Sequence, residues 1–267
     1  MSDFDKDFIL SKLKSYSLTG INQKLVDIKI LYVEIDSSVY YNSSQISNID
    51  NLKTNITNSL QSYSDSVDLS KFGGRFKYSK VLNVIDDVDR SITSNITRVR
   101  VRRNLRALIN QEAQYELCFG NKFHVNPAGF NIKSTGFKII NEPDIVYLTD
   151  IPNADGMKGV LSIVKPIEET GENRVVIKSA GIVDYVKGEV ILSTTLITET
   201  VVANDVIEIQ AFPESNDVVG LKDLYLEFDV SKSTINMVRD TISSGEKISG
   251  VGFKVTSSYS NGELKRG

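Results

Sequence analysis

A single histidine, His124, leaves this chain poorly equipped for catalysis. A metal site with two histidines is impossible, and any acid–base chemistry built on imidazole must rest on one residue. His124 follows Phe123 in a segment with Pro127 and Gly129, so an ordinary loop or partly buried side chain is the expected reading. A single cysteine, Cys118, rules out an intrachain disulfide and suits a reducing compartment or a particle assembled in one. Flanked by Leu117 and Phe119, it reads as a small core hydrophobe rather than a nucleophile. No apolar run approaches the roughly 20 residues that span a bilayer, and the opening MSDFDKDF is acidic where a signal peptide is basic. The expectation is a soluble, non-secreted protein with no membrane partner, and the sequons at Asn42, Asn55 and Asn95 are read as coincidence. The formal net charge is −3, so the overall field does not recommend a polyanion as partner.

Short motifs are as scarce. The chain has no G-x-S-x-G elbow and no GxxxxGK[ST] loop, and GVGFKV at 250–255 lacks the third glycine and the strand-to-helix setting of a dinucleotide site. Asp86, Asp87 and Asp89 resemble the opening of a calcium loop. Counted from Asp87, however, the sixth position is Ile92 where glycine is required, and the twelfth is Arg98 where glutamate belongs. These acids are better read at a helix end and turn, pairing with Arg90 or with the arginines that follow. No catalytic residue, cofactor or metal is expected.

What the chain does have is pattern. It is 40% hydrophobic and 24% charged over 267 residues, enough to build one large or two medium domains. In FDKDFILSKLKSY, Phe4, Phe8, Ile9, Leu13 and Tyr16 recur at helical spacing, with Gly20 as a stop. VDIKILYVEIDSSVYY alternates as Val26, Ile28, Ile30 and then shifts phase to Leu31, Val33, Ile35, which predicts one long central strand with a bulge near residues 30 and 31. Serines after Asn42 can cap a helix carrying the stripe Ile46, Ile49, Leu52, Ile56, Leu60 and Tyr63. YSKVLNVIDDV predicts a short helix before an arginine-rich strand. Together these make an α+β unit over residues 1–108, helix-strand-helix-helix-strand, with the two strands paired under the helices. From 109 to 267 short β runs dominate, predicting a mostly antiparallel β domain with a loose tail after about residue 256. AGIVDYVKGEVILS reads as a hairpin turning at Lys187 and Gly188.

The arginine-rich strand, NITRVRVRRNL, poses the main question. Alternation puts Thr97, Val99 and Val101 on one face and Arg98, Arg100 and Arg102 on the other, with neighbouring guanidiniums about 7 Å apart. Arg103 and Arg106 follow. Three readings of that face stand: a solvated surface, a contact with an acidic protein or a neighbouring subunit, and nucleic acid. The nucleic-acid reading, resting on residues 96–106, needs aromatic interleaving or further basic residues that the strand lacks. Arg98, Arg100, Arg102 and Arg103, with Asp86, Asp87 and Asp89, are thus the candidates for a subunit interface or for salt bridges within the domain.

The block KFGGRFKYSKVLNVIDDVDRSITSNITRVRVRRN, Lys71 to Asn104, is distinctive as a whole. It resembles the baseplate wedge subunits of T-even-like contractile-tailed bacteriophages, related to the baseplate J-like family. There an F-x-x-S-K-hydrophobic stretch leads to an I-D-D-x-D-x-S-I turn and a strand ending in basic residues, here FKYSKVLNVIDDVDRSI and ITRVRVRR. The preceding helix, the strand ending in Tyr40 and Tyr41, and the long polar helix follow the same order, so the resemblance spans about residues 3–106. AGIVDYVKGEVILS is similar to a segment of the C-terminal region of such subunits. Family members are far longer, and this chain looks like their C-terminal half. The resemblance implies a structural protein of the virion, assembled in the host cytoplasm. It also implies a scaffold present as a homodimer in each wedge, whose C-terminal region joins neighbouring wedge proteins into the ring around the tail hub. It carries over no catalytic residue.

Overall fold

In the computed structural model, which describes residues 3–17, 25, 28–66, 69–167, 173–242, 259–260 and 263–264, three helices precede most of the strands. The chain opens with α1 (Asp3–Lys14), β1 (Lys29–Tyr41), α2 (Ile49–Ser64), β2 (Arg75–Phe76), α3 (Tyr78–Asp86) and β3 (Ile92–Arg106). There follow β4 (Glu112–Cys118), β5 (Lys133–Ser134), β6 (Phe137–Ile139), β7 (Glu142–Pro152), β8 (Lys158–Pro166), β9 (Asn173–Asp184) and β10 (Glu189–Thr200). The last long elements are β11 (Val206–Ala211), β12 (Val218–Val219), β13 (Leu224–Phe228) and β14 (Thr234–Arg239). Beyond them Tyr259–Ser260 pairs with Glu263–Leu264. The α+β class, small α+β region first and β-rich region after, is the observed one. No helix among the described residues is long and apolar enough to cross a membrane.

β1 is central, as its length predicts. It pairs antiparallel with β3 on one side and parallel with β13 and then β14 on the other. β3 continues to β11 and β11 to β5, both antiparallel. The two parallel pairings are exceptions to the expected antiparallel pattern. The register of β1 on β13 runs unbroken through Ile30 and Leu31, so the bulge expected there is absent. The ladder starts at Lys29, which leaves Ile28 off it and 61% exposed, while Val26 lies outside the described residues. An irregularity occurs instead at Tyr40 and Tyr41, against β3.

One face of this sheet is apolar. Leu31, Val33, Ile35 and Val39 of β1 are completely buried, and Val99 and Val101 of β3 join them, each contributing about 1.5–3 kcal/mol of hydrophobic stabilisation. Ser37 and Thr97, directly opposite each other in this face, share a hydroxyl–hydroxyl bond of 2.8 Å. α2 and α3 cover it with Leu52, Ile56, Leu60, Val81 and Ile85. α2 starts later than its stripe suggests, because the Asn48 side chain caps it by accepting from the amides of Asp50 (2.9 Å) and Asn51 (3.3 Å). The serines before it do not serve as the cap, and Ile46 packs from outside the helix. α1 is the helix its spacing predicts, but Phe8, Leu13 and Tyr16 are exposed. Its expected stop, Gly20, lies outside the described residues, as does most of the tail after residue 256.

The second sheet runs β4-β10-β6-β7-β8-β9, and β9 pairs again with β10, so β6 to β10 close into a ring. Its hairpin β9–β10 turns where the sequence places it. Gly188 has φ +68°, and a Cβ there would lie 1.9 Å from the Asn121 carbonyl oxygen. Inside the ring, Asp150 is buried and accepts from Tyr185 Oη (2.5 Å) and from the Ile132 amide (2.6 Å), tying the segment before β5 to β7 and to the start of the β9–β10 turn. Burial pushes the Asp150 carboxyl up, and burial together with the Asp150 bond pushes the Tyr185 phenol up. The boundary expected near residue 108 does not separate the two sheets. The chain leaves the first sheet there, builds the second, and returns to the first through β11, β13 and β14.

Candidate functional site: the charged face of the first sheet

The face opposite the helices carries the arginines, but it is not a solvated stripe. Arg98 is exposed, whereas Arg100 is 4% and Arg102 2% exposed. A buried guanidinium must be paired to be tolerated, and the register supplies partners. Tyr32 of β1 stands opposite Arg102 and Glu34 opposite Arg100, while Gln210 of β11 stands opposite Arg102 from the other side.

Arg102 is the hub. Its Nε donates to Glu34 Oε1 (2.5 Å) and its Nη2 to Asp229 Oδ2 (2.6 Å). Its Nη1 donates to Asn104 Oδ1 (2.6 Å) and Glu208 Oε1 (3.3 Å). The guanidinium also lies 4.1 Å from the centre of the Tyr32 ring, where cation–π attraction adds to the pairing. Arg100 Nη2 approaches Glu34 Oε2 to 3.9 Å, and Gln210 donates to the same oxygen at 3.1 Å. The planar fork of arginine, with five donors in a fixed geometry, lets one side chain hold three carboxylates and the Asn104 amide oxygen at once.

A strap completes the arrangement. After β13 the chain turns through residues 229–233 along the far edge of β1, where the Asp229 amide donates to the Val33 carbonyl (2.8 Å) and Ser233 Oγ accepts from the Ile35 amide (3.1 Å). From this turn Asp229 reaches Arg102, and Lys232 reaches Glu208 across β1 and β3. Burial and the neighbouring Asp229 raise the Glu227 carboxyl, opposed by Arg102. Burial, with Glu227 nearby, likewise raises the Tyr32 phenol.

Arg103 falls on the helix-side face between Val101 and Leu105, and its Nη1 donates to the Cys118 carbonyl, joining β3 to the end of β4. Burial depresses its pKa. No ion pair joins Asp86, Asp87 or Asp89 to an arginine among the described residues. Asp86 accepts from Asn95 Nδ2 (2.7 Å), Asp87 is the C-cap of α3, and Asp89 accepts from the hydroxyl (2.6 Å) and amide (2.8 Å) of Ser91, which hold its carboxyl below the usual range. These acids finish a helix and a turn. His124 is exposed in a loop and Cys118 half-buried at a strand end, and no cluster of three or more potential metal ligands occurs among the described residues.

The site's acids, Glu34, Glu208 and Asp229, were missed by sequence reasoning. A signal existed for the first two: in ILYVEIDSS and VIEIQAF a lone glutamate sits in the phase opposite a fully apolar set. The arrangement can bind three strands and the strap together, and it offers no nucleophile or proton-transfer pair open to a substrate. The fold and site thus describe a cross-braced structural module.

Residues 29–104 match the family described as baseplate structural protein gp6, C-terminal domain III. The matched segment includes β1, α2, α3 and most of β3, with Glu34, Arg100 and Arg102 inside it. The match supports a structural protein of the phage baseplate, though it covers under half of the chain. No curated protein matches the sequence.

Proposed function

We propose that this chain is a wedge scaffold subunit of a contractile phage tail baseplate, a protein without enzymatic activity that pairs with a second copy and links neighbouring wedges into the ring around the hub. The observation that carries the reading is the match of residues 29–104 to a baseplate structural domain. The physical character of the module agrees with it. A scaffold must transmit load through its fold, and here Arg102, Glu34, Glu208 and Asp229 join strands from distant parts of the chain. Its partners in this reading are other wedge proteins in the virion, assembled in the host cytoplasm.

The nucleic-acid alternative loses Arg100 and Arg102, which are buried with carboxylates of the same chain, and keeps on that strand only the exposed Arg98 and Arg106. Two experiments test the proposal. Light scattering over a concentration series is expected to show a dimer, and co-expression with the other wedge proteins of the same phage is expected to give a complex that copurifies. A strict monomer that captures no wedge protein refutes it.

A further inference from the structure

Away from the buried network, a cleft of about 620 Å³ lies between the end of α2, the residues before β2, and α3. Lys71, Arg75, Lys77 and Lys80 line it with exposed side chains, and Asp87 is the one carboxylate among its described lining residues. Leu69 is buried in its wall, with Tyr63 and Val84 half-buried beside it. Arg75, Lys77 and Lys80 form no ion pair among the described residues, whereas Arg102 and Lys232 on the far side of the sheet are fully engaged. In a chain of net charge −3 this cleft inverts the local sign of the surface, and the mutual repulsion of its cations is relieved by an anion brought from outside.

We infer that the cleft is the docking site of an acidic peptide segment from a partner protein, one that sets carboxylates against Arg75, Lys77 and Lys80 and an apolar side chain over Leu69 and Val84. Charge complementarity selects the carboxylates, and the apolar wall selects a peptide over a bare anion. A single-stranded nucleic acid fits less well. It tracks a longer basic groove with several stacking aromatics, and among the described lining residues here the aromatic is Tyr63 alone. The inference stands without the baseplate reading, since it concerns the chemistry of the occupant and not the identity of the assembly.

The test is a fluorescence anisotropy titration of the full chain into a labelled peptide of about ten residues alternating glutamate and leucine. Binding at low salt is expected, weakening as salt screens the exposed charges. The Arg75→Gln, Lys80→Gln variant is expected to bind about tenfold more weakly, with an unchanged melting temperature showing that the fold is kept. Equal affinity in parent and variant overturns the inference, as does a failure of the peptide to bind or equal binding of a peptide with lysine at each glutamate position. Tighter binding of oligothymidylate than of the acidic peptide also overturns it, and makes the cleft a nucleic-acid surface instead.

Discussion

Replacing Arg102 by methionine tests the central claim, that the arginine strand is held inside the fold by this chain's own acids. Methionine keeps much of the volume and removes the charge. Glu34, 1% exposed, would lose its 2.5 Å partner, Glu208, 6% exposed, would keep Lys232, and Asp229 would lose a 2.6 Å bond. Breaking a buried pair from one side costs about 3–5 kcal/mol, because the carboxylate left behind remains desolvated. For a protein stabilised by about 5–15 kcal/mol this is a large share. The contrast is Arg98→Met, four residues away on the same strand and exposed, where a change within about 0.5 kcal/mol is expected. The assay is urea unfolding followed by circular dichroism, with the Glu34→Met variant and the Arg102→Met, Glu34→Met double variant closing a cycle. The double variant is expected to cost clearly less than the sum of the singles, since it removes both charges together. If Arg102→Met costs under about 1 kcal/mol, or if the cycle shows no coupling, the network is solvated and the argument fails.

Gly188→Ala places a Cβ against the Asn121 carbonyl at a positive φ, so a loss of about 1–3 kcal/mol is expected, read from the melting temperature. Asn48→Ala removes the α2 cap and is expected to cost about 1 kcal/mol in the same assay. Because the folded-state pKa of Asp150 is raised, its favourable contribution is full below the ordinary carboxylate value of 3.8 and is lost as pH rises through the raised value. Asp150→Asn is therefore expected to flatten the fall of stability as pH rises above 3.8, measured by denaturant titration at each pH. The matched segment 29–104, expressed alone, is expected to remain unfolded by circular dichroism and proteolysis, since β1 and β3 would each lose the neighbours that β13, β14 and β11 supply.

Local pattern carried far in this chain. The 3–4 spacing of Leu52, Ile56 and Leu60 is the buried stripe of α2, and the alternation of Thr97, Val99 and Val101 gives the core face of β3. Gly188 turns the hairpin where its neighbours suggest. What alternation could not show is what lies over the opposite face. Arg100 and Arg102 sit in the phase that a half-exposed sheet gives to water, yet their carboxylates arrive from residues 34, 208 and 229. Pairings of that separation leave no periodic trace in either segment. The same limit applies to the boundary near residue 108. The composition does change there, but strand pairing ignores composition, and β11 returns to lie against β3.

The buried charges therefore do something that an apolar face could not. A hydrophobic face fixes the alternation but not which residue of the same phase is met, so β11 could slide by two residues along β3 and restore the same apolar pattern. With Arg102 fixed between Glu34 on one side and Glu208 on the other, a shift of two residues would carry a carboxylate about 7 Å along the strand and leave the guanidinium without that partner. The polar network thus selects one register for strands separated by more than a hundred residues in sequence, whatever its net contribution to stability. Its components straddle the matched segment, with Glu34, Arg100 and Arg102 inside residues 29–104 and Glu208, Asp229 and Lys232 outside. The structural unit of this protein is accordingly larger than the stretch that resembles a known baseplate domain, and the Arg103 bond to the Cys118 carbonyl joins that stretch to the second sheet.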